Sequence, residues 1–122
     1  WVVCDRFVDS TTAYQGYGRG FGEDQMEALN RFAVGETIPD LTILLDLPVE
    51  KGGHRLAARC EESGEVPDRI EREGDAFHHC VRKGYLALAR KYAQRFIVVE
   101  ADRDLDSVTE TVWRLIEDRF QI

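Results

Sequence analysis

Three short apolar runs constrain the fold of this chain most strongly. They are Trp1-Val2-Val3-Cys4, Leu41-Thr42-Ile43-Leu44-Leu45-Asp46-Leu47 and Phe96-Ile97-Val98-Val99-Glu100. Strict alternation of apolar and polar residues would mark a sheet with one wet face. A continuous run marks a strand covered on both faces, as in parallel sheets flanked by crossover helices. Each run leads into polar residues and then into a segment of helical periodicity, which is the α/β rhythm. The reading is an α/β fold with three parallel strands and about five flanking helices. A length of 122 residues suits one domain, able to bury about two-thirds of its unfolded surface.

The helices follow from spacing and punctuation. A short one is predicted over about Ser10–Tyr17, ending in a glycine-rich loop. A second covers Glu23–Val34, with Met26, Leu29, Phe32 and Ala33 at helical spacing, Gly35 as its C-cap and Pro39 restarting the chain. A basic segment with Lys51, His54, Arg55 and Arg59 runs over about Val49–Cys60, followed by a loop containing Gly64 and Pro67. The longest helix is predicted over Asp68–Tyr92, its face traced by Ile70, Phe77, Val81, Tyr85, Leu88 and Tyr92. The last covers Asp104–Phe120, with Asp104 as N-cap. The sequence opens at Trp1 inside an apolar run with no leading turn, which predicts that it begins inside a larger protein.

Charge and cysteine usage narrow the function classes. A net charge of −7, from 16 basic and 23 acidic residues, argues against a nucleic-acid surface, which needs a basic face. It does not exclude a small anion held by a few local arginines. Cys4, Cys60 and Cys80 are an odd count with no close pair, so no disulfide framework is expected, and a reducing cytoplasm is the natural setting. Cys4, in a predicted strand, reads as a buried small hydrophobe. No apolar run approaches the roughly 20 residues that span a bilayer. His78-His79-Cys80 are consecutive on a predicted helix and point in different directions, so a zinc site is not expected.

The residues that could carry chemistry cluster in four places. Asp5-Arg6 stands where the first run ends, and ligands of open α/β sheets sit beyond the carboxyl ends of strands. A guanidinium there offers a planar fork for an oxyanion, although an isolated Asp-Arg pair is equally a surface ion pair. The segment Ser10-Thr11-Thr12-Ala13-Tyr14-Gln15-Gly16 follows, rich in hydroxyls, with an amide and an aromatic ring suited to a nucleoside. Gly16, Gly18, Gly20 and Gly22 alternate around Arg19; by themselves they mark only a flexible turn. Arg55 and Arg59, four apart, share a helix face and precede Asp68-Arg69-Ile70-Glu71. Asp46, near the end of its strand, is as well read as a hydrogen-bonded structural carboxylate as a site residue. Glu100-Ala101-Asp102 ends the last strand. Gly-x-x-x-x-Gly-Lys-Ser/Thr occurs nowhere in the 122 residues.

These motifs together resemble bacterial thymidylate kinases. The likeness rests on Asp5-Arg6-Phe7 with Ala13-Tyr14-Gln15-Gly16 and Gly18-Arg19-Gly20, on Pro39-Asp40-Leu41-Thr42 through Leu45-Asp46-Leu47-Pro48, and on Asp68-Arg69-Ile70-Glu71. It implies a P-loop kinase-type parallel sheet and transfer of the ATP γ-phosphate to dTMP, with Mg²⁺, in dTTP synthesis by a cytoplasmic homodimer. Residues 1–122 would be the carboxy-terminal part of one nucleoside monophosphate kinase domain, with a lid over about residues 49–69. The first strand of the family lies between the strands expected at Val2–Cys4 and Leu41–Leu47, so these two are not expected to pair. By the same resemblance, Arg6 would hold the dTMP phosphate. Asp5 would orient Mg²⁺ with its water shell or the reacting phosphates. Thr11 and Gln15 would lie near thymidine, Tyr14 would pack by the sugar and disfavour a 2′-hydroxyl, and Arg19 would be a second phosphate contact. Arg55, Arg59 and Arg69 are the lid candidates for basic catalysis, in no assigned order. Arg59 and Arg69, with Ala101 and Asp102, fall on the ATP side. No residue is expected to bind metal directly, and neither nucleic acid nor membrane is an expected partner. Gly53 and His54 depart from the family's lid pattern. Two other readings stay open: a non-catalytic nucleotide-binding or interaction module derived from a kinase half, and another nucleoside monophosphate kinase. The 122 residues alone are expected to be inactive.

Overall fold

A computed structural model describes all of residues 1–122. Two strands, β1 (Thr42–Asp46) and β2 (Phe96–Glu100), pair in parallel, from Thr42 opposite Phe96 to Asp46 opposite Glu100. The ladder continues one step beyond, where the Ala101 amide donates to the Asp46 carbonyl at 2.8 Å. Between the strands lie α3 (Val49–Ser63) and α4 (Asp75–Lys91), the crossover that a parallel pair requires. Ahead of β1 come α1 (Val8–Thr11), a π-helix (Thr12–Gly18) continuing it, and α2 (Glu23–Val34); α5 (Leu105–Phe120) closes the chain.

Two strands form instead of three. Trp1–Cys4 joins no ladder and is exposed throughout, Val3 to 91%. A strand exists only where its backbone finds partners, and residues 1–4 pair with neither β1 nor β2. The Trp1 ring rests edge-on against Phe120 of α5 instead, at 4.8 Å between centroids. Cys4 is accordingly exposed rather than a buried hydrophobe.

The longest helix also begins later than its apolar spacing predicts. Asp68 and Glu71 cap each other: the Asp68 amide donates to Glu71 Oε1 (3.1 Å) and the Glu71 amide to Asp68 Oδ1 (2.7 Å). This is the reciprocal geometry of a capping box, yet it opens only a turn. Gly74, extended at φ −70° and ψ 167°, separates that turn from α4. Elsewhere punctuation predicts boundaries closely. Gly64, in the left-handed region at φ +71°, ends α3, and the Asp104 carboxylate caps α5 by accepting from the Ser107 amide at 2.9 Å.

The core is small and centred on α4. Leu88, Ala89 and Phe96 form its buried centre, with Leu44 and Tyr92 packed around them. Val81 and Gly84, earlier on α4, receive the π-helix, whose Ala13 is wholly buried. Leu45 and Val98 remain about half exposed, so the sheet is only partly covered, short of the two-sided burial that continuous runs predict. Asp9, 7% exposed, is held by Arg95 through a bidentate pair of 2.7 and 2.8 Å, with Arg95 also donating to Thr42 Oγ1. This network ties α1 to the start of both strands.

Candidate functional site

Asp5 and Arg6 lead directly into α1, and the turn they make is not an ordinary one. Arg6 has φ +72°, a region that residues with a Cβ rarely adopt. Such a conformation costs on the order of 1–3 kcal/mol and persists only where surrounding contacts enforce it. The contacts are visible: the Arg6 guanidinium lies over the Tyr14 ring, 5.2 Å from its centroid, and α1 is pinned by Asn30, which donates to the Val8 carbonyl and to Thr12 Oγ1 at 3.0 Å each.

Tyr14 is carried by the π-helix, whose wide turns show in its hydrogen bonds. The Arg19 amide reaches back to the Tyr14 carbonyl (2.9 Å), Phe21 to Gln15 (3.1 Å) and Gly22 to Gly16 (3.0 Å). π-Helical turns are rare and concentrate at functional sites. Gly18 is there for contact rather than flexibility. A Cβ at this position would lie 2.6 Å from the Phe77 ring, so only glycine lets the π-helix approach α4 so closely. Phe77 and Tyr85, both on α4, then flank Tyr14 at centroid distances of 6.0 and 6.1 Å.

A cavity of about 380 Å³ opens in front of these groups, lined by Asp5, Arg6 and Tyr14 on one side. The opposite side is Arg59 from α3, Asp68, Ile70 and Glu71 from the capped turn, and His78 from α4. α4 ends where β2 begins, so its first turns lie beyond the carboxyl ends of the strands. The bidentate pair of Arg82 with Asp46, 2.9 Å for each bond, marks that level. The hydrogen bonds from Arg82 hold the Asp46 carboxyl below its ordinary pKa despite partial burial. Asp46 thus has a structural partner and does not line the cavity.

The predicted site residues divide accordingly. Asp5, Arg6, Tyr14 and Arg59 meet at one cavity. Arg59 donates to Glu71 Oε2 and lies 3.7 Å from Glu65. Arg19 stands behind Phe77, its guanidinium 4.6 Å from the ring centroid and 2.8 Å from Glu73. Thr11 and Gln15 are exposed on the same helical segment, outside the cavity lining. Arg55 is elsewhere: it donates to the Ala101 carbonyl (2.8 Å) and to that of Arg103 (3.4 Å), tying α3 to the turn after β2. Ala101 is buried and Asp102 exposed in that turn. Arg69 is exposed.

Several participants escape the sequence reading. Glu71 is bifunctional, capping Asp68 with one oxygen and holding Arg59 with the other; the Asp-x-x-Glu spacing is the signal that could have found it. Phe77 is legible in sequence only as part of an apolar helix face, and His78 and Glu73 give no signal of a site, because only the docking of α4 and the turn before it brings them there.

Two other features compete for attention. A larger cavity of about 720 Å³ lies at the opposite strand ends, lined by Asp9, Asn30, Tyr92 and Arg95 among others. Of its charged groups, Asp9 pairs with Arg95 and Glu27 with Lys91. The carboxylates of Glu23, Asp24 and Glu27 gather within 4.8 Å of one another. Tyr17 and Lys91 donate to Glu23, and Lys91 and Tyr92 to Glu27. No helix is long and apolar enough to cross a membrane.

Chemically, the smaller cavity presents a guanidinium held in a strained turn, a carboxylate beside it, an aromatic wall and a second arginine from across the opening. That set suits a phosphate ester of a cyclic, flat-sided molecule. A family model described as thymidylate kinase matches residues 1–112. The thymidylate kinase of Nitrobacter winogradskyi is 47% identical over 119 residues, covering 98% of this chain and 51% of that protein. Those of Bacillus thuringiensis and Bacillus cytotoxicus are each 42% identical over 119 residues, covering 98% of this chain and 56% of theirs. The chain spans about half the length of the curated relatives it matches. With its motifs, its parallel α/β fold and this match along nearly all its length, the chain belongs to the thymidylate kinase family.

Proposed function

We propose that this chain is the acceptor-binding and lid-bearing part of a dTMP kinase, which transfers the γ-phosphoryl group of ATP to dTMP and yields dTDP for dTTP synthesis. The observation that carries the reading is the single cavity where Asp5, Arg6 and Tyr14 face Arg59 and Glu71. Phosphoryl transfer needs its acceptor held in line and the charge on the moving group stabilised, with little else for the protein to do. Arg6 grips the dTMP phosphate, and the Tyr14 ring packs by the deoxyribose. Thr11 and Gln15, on the exposed side of the same helix, are the thymidine contacts. Arg19 is a second phosphate contact once Glu73 releases it.

Arg59 is the lid arginine best placed for the transferred group, since it alone of the three lid candidates lines the cavity. Arg55 supports the lid from the Ala101-Asp102 turn, which we assign to the ATP base, and Arg69 reaches the nucleotide from the exposed turn. Mg²⁺ would fit beside Asp5 through its water shell, since the ion favours oxygen ligands and keeps several waters when it sits on nucleotide phosphates. When bound, it neutralises charge on those phosphates. None of the 122 residues forms a Walker-type loop, so they supply no cradle for the ATP β- and γ-phosphates. The 122-residue chain alone is therefore expected to be inactive. We assign the protein to the cytoplasm, as a homodimer, on the likeness to the family; Phe32, 92% exposed on α2 beside the half-exposed Leu29, offers an apolar face that a second subunit would cover.

The test uses the intact polypeptide that contains this sequence. ATP-dependent formation of dTDP is measured against other nucleoside monophosphates. Preference for dTMP is expected, with Arg6→Ala lowering kcat/KM by orders of magnitude and Arg6→Lys restoring only part, because an ammonium cannot copy the bidentate fork. Absence of dTDP formation, or near-normal dTMP turnover by Arg6→Ala, would refute the assignment.

A further inference from the structure

Tyr85 is half-buried on α4, 71 residues from Tyr14 in sequence, and takes no part in the chemistry proposed above. Two contacts nevertheless point it at the acceptor pocket. Its hydroxyl lies 2.5 Å from Ser10 Oγ, joining α4 to the four-residue α1. Its ring meets Tyr14 edge-on, at 6.1 Å and 85° between planes, an arrangement that aromatic quadrupoles favour. Tyr14 in turn supports the Arg6 guanidinium.

This matters because α1 has little of its own to hold it. Even with the π-helix that continues it, the helical run from Val8 to Gly18 is short enough to be marginal in isolation, its N-cap makes no side-chain hydrogen bond, and the strained Arg6 stands just ahead of it. Its orientation must come from tertiary contacts. Asp9 and Asn30 fix the face toward the strands and α2, the π-helix docks the far end of the run on α4, and Ser10 supplies α1's own hydrogen bond to α4. Desolvation raises the pKa of the Tyr85 phenol, so the hydroxyl keeps its proton and the bond to Ser10 persists across the working pH range.

We propose that Tyr85 is a positioning residue for the acceptor site: its hydroxyl clamps α1 through Ser10 and its ring sets the plane of Tyr14, so that Arg6 and Tyr14 are presented together. The inference rests on the proposed acceptor role of this cavity. Its test has two arms on the intact polypeptide, using Tyr85→Phe and Ser10→Ala. Phe keeps the ring and removes only the hydroxyl; Ala removes the other half of the same bond.

In the kinetic arm, each variant should raise KM for dTMP about threefold to tenfold, the size of one partly buried neutral hydrogen bond. The KM for ATP should stay unchanged and kcat should move less than the dTMP KM. The double variant should cost no more than either single one, because both delete one bond. Tyr85→Leu, which removes the ring as well, should also relax discrimination between deoxy- and ribonucleotide acceptors, whereas Tyr85→Phe should preserve it. In the second arm, amide hydrogen exchange across residues 8–18 should quicken in Tyr85→Phe and Ser10→Ala, with residues 105–120 unaffected. Unchanged exchange across residues 8–18 would overturn the clamp whatever acceptor the enzyme uses. Equal rises in the KM of ATP and dTMP would overturn it too, by showing a general loss of structure. A wild-type enzyme that turns over another monophosphate but not dTMP would refute only the choice of acceptor; the clamp would then be read on that substrate.

Discussion

Gly84 lies on α4 where the π-helix docks, and substituting it tests the packing that carries Tyr14. In an exposed helix, glycine to alanine stabilises by about 0.8–1 kcal/mol, because the unfolded chain loses less freedom. At Gly84 an added Cβ would lie 2.7 Å from Tyr17 Cγ and Cδ2 and 2.9 Å from Tyr17 Cβ. These atoms are the root of the side chain, not its flexible end, and cannot swing aside alone. The far end is tethered as well, since the Tyr17 hydroxyl donates to Glu23 at 2.9 Å. Overpacking of this kind costs about 1–3 kcal/mol, so the clash should exceed the helical gain. Gly84→Ala should destabilise by about 1–2 kcal/mol. Gly53, on α3, meets nothing within 4 Å, and Gly53→Ala should therefore stabilise by about 0.5–1 kcal/mol. Urea denaturation midpoints of the two variants in the intact polypeptide measure the contrast. Moving the π-helix also displaces Tyr14, so Gly84→Ala should raise the dTMP KM while Gly53→Ala leaves it alone. If Gly84→Ala proved as stabilising as Gly53→Ala, the close approach of the π-helix to α4 would be wrong.

Arg95→Ala should cost about 3–5 kcal/mol by leaving the buried Asp9 carboxylate unpaired, and adding Asp9→Asn to it should recover part of the loss in the same unfolding measurement. The Asp46 carboxyl is held below its ordinary pKa by the Arg82 hydrogen bonds; a folded-state pKa below the unfolded value of about 3.9 gives stability that is present above that pH and lost as pH falls through the depressed value. Arg82→Met should therefore flatten the acid limb of stability against pH below about 4, and an unaltered limb would show that the pair is not coupled to folding. Tyr14→Ala should narrow the ratio of kcat/KM for dTMP over its ribonucleotide counterpart, since the wall beside the sugar is removed; an unchanged ratio would take Tyr14 out of the sugar site.

Local chemistry in this sequence determined most of the secondary structure. Continuous β-branched residues mark β2 over Phe96–Glu100, the spacing of Met26 with Gly35 bounds α2, and Asp104 caps α5. These features depend on neighbours within a turn or two, and such signals are legible in one dimension. Asp5-Arg6 and Tyr14 are likewise legible as a motif, because they stand close together along the chain. Tertiary structure decided the rest. Trp1–Cys4 has the composition of a strand but forms none, since strand formation needs a second backbone alongside and composition cannot supply one. The π-helical turns follow from Gly16 and Gly18 packing against α2 and α4, which no local propensity predicts. Arg55 and Arg59 share a spacing and a residue type, yet one binds the Ala101 carbonyl and the other lines the cavity. One helical turn between them is enough to aim two long side chains at different partners, and only the placement of α3 against α4 and the turn after β2 determines which partner each one meets.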